Sequence, residues 1–223
     1  MEVQLSPEIC STIPDFKVGI IHYKQITVGE SPQMLKGRLQ LFQESIYFDF
    51  TEGKSVTMLP GIKEWREIFK SFGKDPNRYR HSAEALYRRV QKQNYLQSVH
   101  SAIDVNNFFS LQYQLPIGIY DLEKINGNVK IRIGTENEGY LGLNGRENSV
   151  DKLILSADNL GPFGSPFVDS ARTAVTSDTT EALQIIYLGH TIEEEKATRL
   201  TQSLMKMFVQ LHSGEAEYNL IGC

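Results

Sequence analysis

Two unbroken apolar runs, KLILSA at 152–157 and ALQIIYL at 182–188, constrain this chain most. A strand that keeps one face in water alternates apolar and polar residues, whereas a continuous run is buried on both faces. A fold with two such strands must cover its sheet from both sides, and the first half of the chain supplies helices to do so. After Ser31-Pro32, Leu35, Leu39, Phe42 and Ile46 follow helical spacing over 33–50. Over 60–72, Ile62, Trp65, Ile68 and Phe69 share one face, with Pro60 at the front and Gly73 just past the end. Ser82 opens a helix over 83–93 with Leu86 and Val90 inward, and 98–111 forms a fourth helical stretch. Strands are expected at 16–23, 129–135 and 171–177, with Asn126-Gly127 and Asn144-Gly145 as turns. A last helix covers 191–212, with Glu193, Glu194 and Glu195 near its N-terminus, where the helix dipole favours negative charge; the tail EYNLIGC adds an edge strand. Helices early and strands late define an α+β class. With no linker, repeat or low-complexity stretch, residues 1–223 read as one domain.

Composition narrows the function classes. Hydrophobic residues make up 40% and charged residues 22%, enough for a buried core. With 23 Lys and Arg against 27 Asp and Glu the net charge is −4, so no global basic field points to nucleic acid. A local one exists, since residues 62–92 hold nine basic residues against four acidic ones. Lys74, Arg78, Arg80, Arg88 and Arg89 are its candidates for phosphate contact, and solvated helix faces are the plainer alternative. Cys10 and Cys223 are too few for a disulfide scaffold and read as free thiols in a reducing cytoplasm. No apolar run approaches the roughly 20 residues of a membrane helix, and MEVQLSPEIC has no signal-peptide pattern. Without CxxC, HExxH or a Walker loop, and with its five histidines scattered, the chain is expected to use neither metal nor cofactor.

The stretch IDVNNFFSLQYQLPIGIYDL at 103–122 is unusual in placing Asp104, Asn106 and Asn107 at the head of an apolar segment that breaks at Leu-Pro-Ile-Gly. Small polar groups beside such a break either cap and turn the chain or line a pocket. Asp104 reads as structural. Gly118, in the turn after Pro116, permits close approach of backbone to a ligand, and Tyr120 is either a pocket wall or a buried strand aromatic. Asp158, at the end of a buried strand, suits a site residue or an Asx turn. Asp169, Arg172, Thr173 and Thr176 form a further candidate group, with a surface salt bridge and plain strand propensity as their structural alternatives.

Several segments in order, GKDPNRYRHSAEALYRRV, VHSAIDVNNFFSLQYQLPIGIYDLEKINGNVKIRIG, KLILSADN and DSARTAVTSDTTEAL, resemble the B3/B4 domain, the editing module of the bacterial phenylalanyl-tRNA synthetase beta subunit. The synthetase segment runs roughly Val-Val-Asp-Val-Thr-Asn-Tyr, then Gln-Pro-Met-His-Ala-Phe-Asp-Leu. Here it is Ala-Ile-Asp-Val-Asn-Asn-Phe, then Leu-Pro-Ile-Gly-Ile-Tyr-Asp-Leu. The resemblance implies a three-layer arrangement around one site, and as partner and substrate an amino acid esterified to the 3′ end of tRNA. It places Asn106, Asn107 and Thr173 as catalytic candidates and Gly118, Tyr120, Asp158, Asp169, Arg172 and Thr176 as substrate-binding ones, with the Pro116–Gly118 turn as the lip opposite Asn106 and Asn107. The synthetase histidine falls at Gly118, and the glutamate of its Gly-Gly-x-Glu-Ser motif falls at Arg172, so tyrosine specificity does not carry over; Arg172 favours a negatively charged group. Hydrolysis of an activated ester needs a held ester, an oriented water and a stabilised oxyanion, not a nucleophilic triad. The expected function is a freestanding hydrolase of mischarged tRNA; the alternative is a non-catalytic module binding amino acid or tRNA.

Overall fold

The computed structural model describes residues 1–223. A central antiparallel sheet has the strand order β10 (Glu215–Gly222), β2 (Lys17–Lys24), β9 (Ala182–Gly189) and β3 (Ile117–Asp121). β9 is buried at every position, as its unbroken apolar run requires, because both of its faces are covered. On one face, Tyr23 of β2 packs on Phe208 of α6 (Glu194–His212) with ring centroids 4.1 Å apart. Asn106 of α5 (Ser101–Tyr113) donates to Ile117 O of β3 at 2.8 Å and accepts from Gln184 Nε2 of β9 at 3.0 Å. On the other face lies a second sheet, in the order β1 (Val3–Leu5), β4 (Val129–Ile133), β7 (Ile154–Asp158) and β8 (Gly161–Gly164). β1 pairs parallel to β4, and the remaining pairs are antiparallel. The Ser156 and Tyr187 hydroxyls meet at 2.9 Å between the two sheets, and Tyr120 packs edge-on against Phe163. Helix layer, sheet and sheet make three layers of an α+β fold around a main core, with a small satellite cluster of Tyr140, Val150, Leu155 and Ala157.

The outer helices follow the sequence pattern. α2 (Gln33–Thr51) buries Leu35, Leu39 and Ile46; α3 (Pro60–Ser71) buries Ile62, Trp65, Ile68 and Phe69. α4 (Ser82–Gln91) is capped by His81, whose Nδ1 accepts from Glu84 N–H, so the cap lies one residue before the expected Ser82. A short helix α1 (Pro7–Thr12) and the hairpin of β5 (Gly139–Leu141) and β6 (Glu147–Ser149), turning at Asn144-Gly145, complete the chain. No helix is long and apolar enough to cross a membrane.

Three expectations need correction. Residues 171–177 are not a strand: Ala171–Thr173 form a 3-10 turn, because Ser170 Oγ accepts the Arg172 N–H and tightens the chain there. Gly118 lies inside β3 rather than in the preceding turn. Cys10 and Cys223 are not free thiols but a disulfide, with Cα atoms 5.2 Å apart. They are 213 residues apart in sequence, and pairing of β10 with β2 carries the C-terminus back beside α1.

Candidate functional site

A cavity of about 330 Å³ opens beside β3, the edge strand of the central sheet. Val99, His100, Ile103 and Asn106 line it from the start of α5, Ile119 and Tyr120 from β3, Leu143 from the hairpin turn, and Asp169, Ser170, Thr173, Ala174 and Val175 from the segment after β8. Its walls are therefore mostly apolar, with hydroxyl, carboxyl, amide and imidazole groups at defined points, the composition of a small-ligand site.

Its polar centre is the pair Tyr120–Asp169. The tyrosine ring is fully buried, and its hydroxyl donates to Asp169 Oδ1 at 2.8 Å. The same oxygen accepts from Ser165 N–H at 3.3 Å, while Oδ2 has no hydrogen-bond partner in the protein. Burial pushes the Asp169 carboxyl up to about 7, against the lowering effect of those two hydrogen bonds. Burial, then the neighbouring Asp169 charge, raises the Tyr120 phenol well above its usual range, so Tyr120 stays a neutral donor.

Gly118 and Gly164 explain how that ring fits. A Cβ on Gly118 would lie 1.9 Å from the Tyr120 hydroxyl, and one on Gly164 2.3 Å from it. The ring occupies the space that side chains at both positions would need. Gly118→Ala is expected to cost about 1–3 kcal/mol, because a fully buried ring held by Asp169 and Phe163 has nowhere to retreat. Urea denaturation checks this, and the added cost of Gly118→Ala should be smaller in a Tyr120→Ala background, where the ring is gone.

Asn106, Tyr120, Asp169 and Thr173 thus line one cavity. Asn106 has bonds of its own to β3 and β9 and fixes α5 on the sheet. Thr173 Oγ1 reaches only Phe163 O, at 3.5 Å. The other candidates are placed differently. Asn107, one residue further round α5, does not line the cavity, and neither does the Pro116–Gly118 segment, which lies behind the Tyr120 ring. Asp158 and Arg172 are committed to each other through two contacts at 2.9 and 3.0 Å. Arg172 also donates to Lys124 O, and Asp158 accepts from Asn126 and Leu160 N–H. Burial would raise the Asp158 carboxyl, but these donors outweigh it and hold it below the usual carboxylate range. This pair ties the segment after β8 to the end of β7 and leaves no unpaired charge at Arg172 for a ligand. Thr176 is exposed, and its hydroxyl accepts from Asp178 N–H in a turn. Asp104 is buried, accepting from Ser31 Oγ and Val99 N–H and holding the chain that leads into α5.

The basic run divides as well. Lys74 is buried, 3.6 Å from Asp151 and over the Tyr79 ring. Arg88 and Arg66 both bind the buried carboxylate of Glu84. Arg78, Arg80 and Arg89 remain exposed. The loop that carries Arg78 and Arg80 touches the cavity segment, with Ser82 N–H donating to Pro166 O at 2.7 Å and Tyr79 packing on Phe167, while Arg89 lies on α4.

Sequence reasoning missed His100. It caps α5, with Nδ1 accepting from Ile103 N–H, and it lines the cavity with Nε2 unpartnered. Its signal was its place in VHSAIDVNN, directly before the helix that carries Asn106.

Fold and cavity together define an α+β domain with a small-ligand pocket at a sheet edge. Residues 64–207 match the family described as the B3/4 domain, and the chain belongs to that family. It is 34% identical over 214 residues to the uncharacterized protein YhzB of Bacillus subtilis strain 168, covering 96% of both chains. The phenylalanine–tRNA ligase beta subunit of Bifidobacterium longum is 30% identical over 131 residues, which is 55% of this chain and 15% of that subunit. The corresponding subunit of Shewanella oneidensis is 28% identical over 88 residues, 39% of this chain and 11% of the subunit. The chain therefore spans only a small part of these ligase subunits. An N-terminal fragment of the phenylalanyl-tRNA synthetase beta subunit from Pyrococcus horikoshii aligns with a TM-score of 0.47 at 15% identity, over 96% of this chain and 50% of that one.

Proposed function

We propose that the protein hydrolyses the ester between an amino acid and the 3′-terminal adenosine of tRNA, acting in trans on mischarged tRNA, with the Tyr120–Asp169 cavity holding the aminoacyl end. The observation that carries this reading is a carboxyl with one oxygen positioned by Tyr120 and the other unpartnered, pushed upward by burial, inside a mostly apolar cavity in a family related to the synthetase beta subunit. Such a group suits general-base work near pH 7. In the proposed step Asp169 takes a proton from a water that attacks the ester carbonyl. The acyl C–O3′ bond breaks, and the proton passes to the ribose O3′. The N-terminus of α5, at the cavity wall, offers its partial positive charge to the oxyanion. Asn106 and Thr173 line and orient the site, and His100 Nε2 is a further donor or acceptor for the adenosine end.

Binding tests this reading before turnover does. Calorimetry with 3′-amide analogues of aminoacyl-adenosine should show one-site binding for some side chains, lost in Ala174→Trp, which fills the cavity. If no analogue binds, the reading fails.

Arg78, Arg80 and Arg89 are proposed to track the acceptor-stem phosphates, because the loop that carries the first two packs against the cavity segment and Arg89 lies on α4, which follows that loop. Replacing all three with Ala should lower the slope of log affinity for tRNA against log salt by about 1 per residue. An unchanged slope would remove them from the interface.

A second reading has its own support. The amide of Asn106 is already bonded to β3 and β9, and Arg172 is neutralised by Asp158, so two of the expected site residues act structurally. A non-catalytic module binding amino acid or tRNA would share the cavity and lack turnover.

A further inference from the structure

The exposed face of α2 carries a stripe that neither the cavity nor the core explains. Met34, Leu41 and Phe48 are 70%, 68% and 66% exposed, and they are seven residues apart, one above another along about 21 Å of helix. Large apolar side chains in register on a solvent face mark a contact surface. No residue of α2 lines the cavity.

We propose that α2 is a self-association face, on which two copies of this chain pair antiparallel about a two-fold axis through Leu41. The stripe is symmetric about that residue. A two-fold axis sets Leu41 against Leu41 and Met34 against the second copy's Phe48, as an isologous contact requires. The flanks agree. Gly37 and Ser45 border the stripe, and antiparallel pairing lays Glu44 over the second copy's Gly37 and Arg38 over its Ser45, large against small. Arg38, held over the Phe108 ring at 4.9 Å, lies on the same flank as Asp49 in the other half of the helix, so the two-fold axis brings Arg38 alongside the second copy's Asp49. Asp49 already meets Lys54, but that pair is exposed and yields readily. The antiparallel arrangement also opposes the two helix dipoles favourably.

Sedimentation equilibrium from low to high micromolar concentration tests the proposal. The wild type should shift to twice the chain mass, and Leu41→Glu should stay at the single-chain mass. Arg38→Asp should weaken the dimer about tenfold, and the swap Arg38→Asp with Asp49→Arg should restore it. Leu41→Cys, on the axis, should cross-link under mild oxidation. A wild type of single-chain mass throughout, or a dimer that Leu41→Glu leaves intact, would overturn it.

Discussion

Asp169→Asn is expected to slow ester hydrolysis by about 10²- to 10⁴-fold, the usual contribution of a positioned general base. The substitution is nearly isosteric. Asn Oδ1 still accepts from Tyr120 and Ser165, so the cavity keeps its shape while losing the group that takes the proton. In the wild type, activity should rise with pH through about 7 and then level off, because the base works only when ionised. Stability should move the other way. Burial raises the carboxyl above its ordinary value, so the folded state holds a proton that the unfolded state has already lost. The stability this gives is full below the unfolded value near 4 and is lost as pH rises through about 7. Asp169→Asn should therefore melt higher than wild type at pH 8, with little difference at pH 4. A variant that is slow and also more stable at high pH identifies a functional carboxyl; one that is slow and less stable at both pH values would mark Asp169 as structural.

Breaking the Cys10–Cys223 bond is expected to cost about 5 kcal/mol of stability on loop-closure entropy. The bond closes nearly the whole chain into one loop, its ends separated by 213 positions in sequence, and entropy removed from the unfolded ensemble grows with the logarithm of loop length. It clamps α1 to the residue just past β10, where the Cys223 N–H also donates to Phe16 O at 3.0 Å. The edge strand β10 should fray first when the clamp is lost. Denaturation of the oxidised wild type against the Cys10→Ser, Cys223→Ser double variant measures the effect. Equal midpoints would show that β10 holds without the clamp.

The frame was legible because its signals are local. The period of α2 and α3 and the unbroken apolar run of β9 depend on neighbours in sequence, and each element lies where the pattern predicts. The errors came where a distant partner decides. ARTAVTS has the β-branched content of a strand, but the Ser170 hydroxyl turns it. Gly118 resembles a turn glycine after Pro116, but the Tyr120 ring explains it. Arg172 resembles an anion site until Asp158, 14 residues earlier, is seen to neutralise it. Lys74 and Arg88 counted toward a basic face until Asp151 and Glu84 took them. Cavity residues from one contiguous motif, Asn106 and Tyr120, were within reach of the sequence. Their pairing with Asp169 and Thr173, brought in from a later segment, rested on family resemblance alone.

The central claim is turnover at the Tyr120–Asp169 cavity. The most direct measurement is the deacylation of a panel of aminoacyl-tRNAs, correctly and incorrectly charged, by wild type and Asp169→Asn at pH 7.5 and low salt. The account predicts that wild type releases the amino acid from a mischarged subset, spares the correctly charged members and loses that activity in the variant. Absence of turnover on every member, with the 3′-amide analogues still bound, would contradict it and leave a binding module.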